Sequence, residues 1–217
     1  MDVLTTLRTT GATRAFTAEP VPRSTVHAIL DDARFAPSGG NRQPWRVALV
    51  EDPSTRRRMA ALMQPVWDDY VARSALGVTP FNVVDDVEPR RVEHATNILL
   101  DELGSAPAVL AVAADLRSIA LMDGDVGRVP MTGGASIYPF CWSVLLAAHG
   151  RGLGGVLTTF LSRAEPDAAE LLRLPPDHAL VATIVLGVPT REVAKLRRRP
   201  VESFASIDTF DGAVLVP

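Results

Sequence analysis

The sequence predicts a chain of mixed helices and strands around a substantial core, and three observations carry that reading. Of its 217 residues 47% are hydrophobic, enough to bury a core as one domain or two closely joined ones. Apolar positions recur at helical spacing in several segments, as at Val26, Ile29, Leu30 and Ala33. Between them lie short apolar runs of strand character: "WRVALV" at 45–50, "AVLAVAA" at 108–114 and "ALVATIVLG" at 179–187.

In chain order, Val3, Leu4 and Leu7 suit a short packed helix, and "MDVLTTLRTTGATRAF" has no continuous apolar stretch of a secretory signal. The helix carrying Val26 starts after "PVPRST" and ends near Pro37. There "APSGGNRQPW" (36–45) begins, a tight loop whose glycines allow close approach to the main chain and whose Ser and Asn offer hydrogen bonds. It suits either a plain helix-to-strand connection or a flat partner lying against it. After the 45–50 strand, Met59, Leu62, Met63, Val66, Trp67, Tyr70 and Val71 mark a helix bent at Pro65. Residues 77–89 break the pattern, and an amphipathic helix at about 91–103 leads into the buried strand 108–114. The stretch 115–133 reads as a long loop, of the kind that often covers a site. Ile137, Phe140, Cys141, Val144, Leu145 and Ala148 stripe a helix at 135–150, apolar enough for burial in the core or at a subunit interface. A strand "GGVLTTF" (154–160), a short helix near 166–173 and the strand 179–187 follow. The last thirty residues have no clear core of their own and read as an arm.

Composition narrows the chemistry. A net charge of −3 and a pI near 5.8 provide no field for nucleic-acid phosphates or anionic lipid, and the longest apolar run is about half a membrane span. The expectation is a soluble, cytoplasmic protein with no nucleic-acid or membrane partner. Cys141 is the sole cysteine, which excludes an intrachain disulfide; its place on an apolar stripe suits packing better than nucleophilic attack. His27, His94, His149 and His178 lack ligand spacing, so no metal is expected. "GRGLGG" (150–155) matches G-x-G-x-x-G literally, yet follows a helix and precedes a strand, the reverse of the dinucleotide-binding order. No P-loop, G-x-S-x-G or H-E-x-x-H motif is present.

Four segments, "TTGATRAF" (9–16), "PVP" (20–22), "APSGGNRQPW" (36–45) and "GRGLGGVLTT" (150–159), followed by the basic "KLRRRPVESF" (195–204), resemble in order and separation the nitroreductase-like FMN oxidoreductases. "FAPSGGNRQ" and "GASIYPF" resemble the actinobacterial-type branch. The resemblance covers nearly the whole chain. It implies an α+β nitroreductase-like fold in one domain over 1–217, a central, mainly antiparallel sheet flanked by helices. It also implies an intertwined homodimer whose C-terminal arm, about 195–217, wraps the partner, with two FMN sites at the subunit interface. Pro37, Ser38, Gly39 and Asn41 match a loop that one subunit presents to flavin held mainly by the other. Arg14 matches a basic residue near the flavin N1–C2=O edge, where charge gathers on reduction. Leu157, Thr158 and Thr159 match a strand end whose backbone runs along the flavin face and can offer an N–H toward N5. Trp142 and Ser143, on the apolar helix, are assigned to packing. For the phosphate, the run Arg197 to Arg199 matches the C-terminal basic anchor, with Arg197 and Arg198 the candidates; a solvated charge run is the other reading. The sequence departs from the family's R-R-S-x-R pattern at Thr10, Gly11 and Ala12, which removes one anchor and implies weaker FMN binding.

The implied activity is electron transfer from NAD(P)H, through FMN, to a nitroaromatic, quinone or enone by a ping-pong cycle, with no catalytic side chain required because the flavin carries the chemistry. Segments 65–90 and 115–133 would set acceptor choice. Trp67, Tyr70 and Phe81 are candidates to line an entrance, although packing is preferred for Trp67 and Tyr70. Two other readings stand beside this one: a flavin-binding or flavin-storage protein without nicotinamide turnover, and a family member with different chemistry, such as reductive dehalogenation or flavin fragmentation.

Overall fold

The structure is a computed structural model describing residues 2–84, 87, 88, 92, 94–191 and 196–217. Among the described residues four strands, β1 (Trp45–Leu49), β2 (Ala108–Asp115), β3 (Gly154–Thr158) and β4 (His178–Gly187), form one sheet in the order β1-β2-β4-β3. Every pairing is antiparallel. With the flanking helices this is the α+β architecture expected. All eight residues of β2 are buried, so it reads as a continuous apolar run, whereas β1, on the edge, alternates between half-buried and exposed.

Each sheet face carries its own core. On one, α2 (Arg23–Ala33) and α5 (Tyr138–His149) bury Ile29, Phe140, Val144 and Ala148 against Leu110, Val112 and Ile184. On the other, Met59 and Met63 of α3 (Pro53–Ser74) pack with Leu99, Leu103, Val109 and Val185. α3 starts where it does because the Asp52 carboxylate accepts from the backbone N–H groups of Ser54 and Thr55 and Pro53 opens the first turn. Trp45 stacks on Phe140 with ring centroids 4.7 Å apart, joining the start of β1 to α5.

Four expectations are corrected. The helix at 91–103 shortens to α4 (Ile98–Asp101) and a 3-10 turn at Leu103–Ser105; residues 91 and 93 lie outside the described residues. Asp68 accepts from the N–H groups of His94 and Ala95, at 3.2 and 2.7 Å, and Asn97 caps α4, so the preceding residues are held in non-helical backbone. α1 (Val3–Thr9) forms under an Asp2 cap, but Val3, Leu4 and Leu7 are exposed within one chain rather than packed. The expected strand 154–160 ends at Thr158, where α6 (Phe160–Arg163) takes over ahead of α7 (Glu165–Leu172). Trp142 is half-exposed rather than buried in packing.

Trp67 and Tyr70 stack at 5.5 Å and both meet Phe160, so they pack α3 against α6. The guanidinium groups of Arg73 and Arg163 both lie over the Phe81 ring, 5.0 and 4.3 Å from its centroid. The arm drawn from about 195 begins at a residue outside those described. From 205 to 215 it turns back on itself, Ile207 N–H donating to Ala213 O and Leu215 N–H to Ala205 O, with Phe204 and Phe210 exposed.

Candidate functional site

The N-terminal motif is laid along β3 by the backbone. Ala12 forms a parallel bridge with Gly155, Thr13 N–H donates to Gly155 O at 2.9 Å, and farther on Thr17 N–H donates to Val188 O at 2.8 Å. This close approach requires glycine at 154: a Cβ there would lie 2.5 to 2.9 Å from three side-chain atoms of Thr13. Gly152, at φ +79°, ends α5 in the left-handed conformation. The glycines of "GRGLGG" therefore close a helix and admit a neighbouring segment.

This arrangement creates a cleft of about 370 Å³ lined by Gly11, Ala12, Tyr138, Trp142, Leu145, Val156, Leu157 and Arg198. Its walls are the end of β3, two aromatic side chains and one guanidinium. Leu157 is half-buried, Thr158 buried and Thr159 exposed at the strand's end. Arg197, Arg198 and Arg199 are exposed, and none pairs with a carboxylate among the described residues; Arg198 donates to the Arg197 carbonyl. The C-terminal basic run and the altered Gly11–Ala12 positions thus meet at one cleft. Arg14 does not join them there: exposed and without an ion-pair partner among the described residues, it lines a separate cleft with Phe16, Leu99, Glu102 and Pro107.

The loop 36–45 stands elsewhere, in a conformation that its sequence makes possible. Gly40, Asn41 and Gln43 all take positive φ, at 58, 52 and 48°. The left-handed region costs a residue with a side chain on the order of 1 kcal/mol, least for Asn, so two non-glycine residues there mean that the surroundings fix the loop. Ser38 Oγ accepts from Gln43 N–H, Asn41 Oδ1 accepts from the Gln43 side-chain amide, and Gly39 N–H donates to Ser136 Oγ, each at 3.0 Å. Gly39, Gly40 and Asn41 remain exposed. Pro37, Ser38 and Gly39 border a cavity of about 280 Å³ with Ala120, Met122, Thr132, Ala135 and Ser136. Within one chain, then, the structure joins Leu157 to Arg198 but brings neither to the loop.

Sequence reasoning missed Tyr138 and Trp142, which are 44% and 40% exposed and line the larger cleft. They stand at i and i+4 on α5, off the stripe of Cys141, Val144, Leu145 and Ala148. Aromatics outside the core stripe of an otherwise apolar helix were the available signal. Ser136 was missed as well, and a lone serine in "GGAS" gives no signal.

Electrostatically, the marked shifts lie around the segment 115–133. Thr132 and the Met131 N–H, with Arg128, hold the Asp123 carboxyl well below the usual carboxylate range. Arg117 holds Asp115 down to about 2. Burial pushes the Cys141 thiol up to about 12, which suits packing and not nucleophilic attack. No group of three or more His, Cys, Asp or Glu able to hold a metal occurs among the described residues. No helix among them is long and apolar enough to cross a membrane.

Residues 7–188 match the sequence profile described as the Nitroreductase family. A protein named NADH dehydrogenase from Thermus thermophilus is 29% identical over 191 residues, 87% of each chain. A nitrobenzene nitroreductase from Ectopseudomonas oleovorans is 28% identical over 196 residues, 83% of this chain and 84% of that one. A 5,6-dimethylbenzimidazole synthase from Rhodobacter capsulatus is 31% identical over 179 residues, 81% of this chain and 78% of that one. Among solved structures, the NADPH:FMN oxidoreductase of Vibrio harveyi, complexed with NAD+, superposes with a TM-score of 0.69 at 20% identity, covering 95% of this chain and 77% of that one.

Proposed function

The chain belongs to the nitroreductase family, and on that premise we propose that it is an FMN-dependent oxidoreductase that passes electrons from NAD(P)H to a small flat acceptor such as a nitroaromatic or quinone. The observation that carries the reading is the 370 Å³ cleft. It combines a strand-end backbone, two aromatic side chains and a guanidinium free of carboxylate partners among the described residues. That donor set fits a flat ring system carrying a phosphate, and the volume falls in the ordinary range of about 300–1,000 Å³ for ligand pockets.

FMN, when bound, would supply two-electron transfer in alternate half-reactions with donor and acceptor. The protein's part is to bind and orient it. Arg198, or Arg197 beside it, meets the phosphate, and the Leu157–Thr159 backbone lies along the ring. Arg14 lines a different cleft of the same chain, so no contact with the ring is assigned to it. Pro37, Ser38, Gly39 and Asn41 come from a second copy of the chain, which explains an exposed, conformationally fixed loop set apart from the cleft. A homodimer would also cover α1's apolar residues and receive the C-terminal arm. Gly11 and Ala12 add no side-chain cation or hydroxyl at the cleft, so phosphate binding rests mainly on the C-terminal arginines.

Purification should yield a yellow protein releasing FMN on denaturation and oxidising NADH or NADPH with menadione or a nitroaromatic. A colourless protein that fails to bind added FMN in a fluorescence titration rejects the proposal. The likeness to a 5,6-dimethylbenzimidazole synthase keeps a second reading in view, a different flavin chemistry on the same fold. Bound FMN that neither nicotinamide reduces would favour it, or flavin binding without turnover.

A further inference from the structure

The cavity beside the loop is walled by a segment with its own internal scaffold. Asp123, only 5% exposed, accepts from Met131 N–H at 2.8 Å, Thr132 N–H at 3.1 Å, Thr132 Oγ1–H at 2.6 Å and Arg128 Nη1 at 2.7 Å. Thr132 Oγ1 in turn accepts from Met122 N–H at 3.0 Å. One carboxylate thus folds residues 122–132 into a closed arch, and Ser136, four residues on, ties it to Gly39. Held at one foot of this arch, Met122 lines the cavity yet is 79% exposed. A long thioether left uncovered beside a fixed loop is free to pack against a ligand.

The other walls state the ligand's chemistry. Pro37, Ala120 and Ala135 give the cavity small apolar walls. Ser38 Oγ and Ser136 Oγ act as acceptors toward Gln43 and Gly39, so among the described residues neither hydroxyl proton is engaged. Two hydroxyl donors in an apolar slot suit a planar molecule bearing carbonyl or nitro oxygens.

We propose that this cavity is the acceptor pocket, that Met122 sets the size of ring system it admits, and that Asp123 is the positioning residue that holds Met122 there. The inference rests on the flavin reading above, which places residues 37–39 against the ring. It narrows acceptor selection, expected from the sequence at segments 65–90 and 115–133, to the second of these and the residues just after it, Trp67 and Tyr70 being committed to packing. The low pKa of Asp123 is consistent with a carboxylate saturated by donors.

The test is a double-mutant cycle on acceptor size. In the purified enzyme, kcat/KM is measured for 1,4-benzoquinone and for the two-ring menadione, with NAD(P)H as donor. Met122→Trp should lower the menadione-to-benzoquinone ratio about tenfold, and Met122→Ala should leave it unchanged or raise it. In an Asp123→Ala background the Met122→Trp effect should shrink to within about twofold, because the backbone that presents the side chain is no longer held. Thr132→Val, which removes the hydroxyl joining Asp123 to Met122, should do the same and serves if Asp123→Ala does not fold. A ratio unmoved by Met122→Trp overturns the inference while leaving the flavin function intact, as does a full Met122→Trp effect in the Thr132→Val background. A parent protein with neither FMN nor quinone turnover overturns both.

Discussion

Replacing Gly154 by alanine should push the N-terminal motif off β3. The added Cβ would lie 2.5 Å from Thr13 Oγ1, 2.8 Å from its Cβ and 2.9 Å from its Cγ2. Rotating Thr13 can remove Oγ1 and Cγ2 from its path, but its Cβ moves only with the backbone. Reaching ordinary contact at 3.4 Å requires a shift of about 0.6 Å in a segment bonded to Gly155. Overpacking of this kind costs about 1–3 kcal/mol, of which the buried methyl group returns less than about 1 kcal/mol. With an m-value of about 2 kcal/mol/M, a 2 kcal/mol loss moves the urea midpoint by about 1 M. Protein concentration is held constant, because a dimer's stability depends on it. Because Gly11 and Ala12 ride on the same segment, FMN affinity should fall too. Gly152→Ala is the control: its Cβ meets nothing within 4 Å, so its cost is confined to the left-handed backbone and flavin binding is spared. Thr13→Gly removes all three opposing atoms, so adding Gly154→Ala to it should cost nothing further. An unchanged midpoint in Gly154→Ala, or an undiminished penalty in the double variant, would refute the packing argument.

Arg198→Ala should weaken FMN by about 1.5–3 kcal/mol and riboflavin far less in fluorescence titrations, since only FMN carries a phosphate; equal losses would return the arginine run to solvent. Cys141 should resist iodoacetamide at about pH 8 in the folded protein and react fully in denaturant, its thiol being buried and raised to about 12. Asp115 is held at about 2 by Arg117, below its unfolded value of about 3.9, so the stability it adds is present above that value and lost as pH falls through 2. The stability gap between the parent and Asp115→Asn, from urea curves, should therefore be constant above about pH 5 and close on acidification. Phe140→Ala, which removes the ring stacked on Trp45, should destabilise by about 3–5 kcal/mol and loosen the 36–45 loop, read as a lower midpoint with weaker FMN binding.

The elements visible in the sequence were those whose burial is decided by their own periodicity. β2 and β4 are nearly continuous apolar runs because both faces are covered, and α2 and α5 show their core stripes plainly. Residues 94–97 failed that test because Asp68, some 26 positions away, takes the N–H groups of His94 and Ala95, long-range bonds that local pattern does not encode. α1 has the right residues for a packed helix, but within one chain Val3, Leu4 and Leu7 stay 69%, 58% and 46% exposed. The site divides in the same way. The loop 36–45 was legible through backbone chemistry, whereas the need for glycine at 154 depends on Thr13, which the fold brings against it. Tyr138 and Trp142 left only the signal of aromatics off the α5 stripe, and Ser136, in the turn before α5, left none. The grouping of Arg198 with Ala12 and Leu157, and the placing of Arg14 in another cleft, required the fold.

The most direct measurement of the central proposal, a flavin site shared between two chains, is the FMN content of a mixed dimer. One variant carries Arg197→Glu and Arg198→Glu, exposed positions in the C-terminal run; the other carries Gly39→Val and Asn41→Leu in the exposed loop. Each homodimer has a lesion in both sites and should bind little flavin. Co-expressed under different affinity tags, the mixed dimer gathers all the lesions into one site and leaves the other intact, so FMN should return toward one per dimer, half of a symmetric two-site complement. Flavin no higher than in either parent, from variants shown to fold and dimerise, would contradict a shared site and place each site within a single chain.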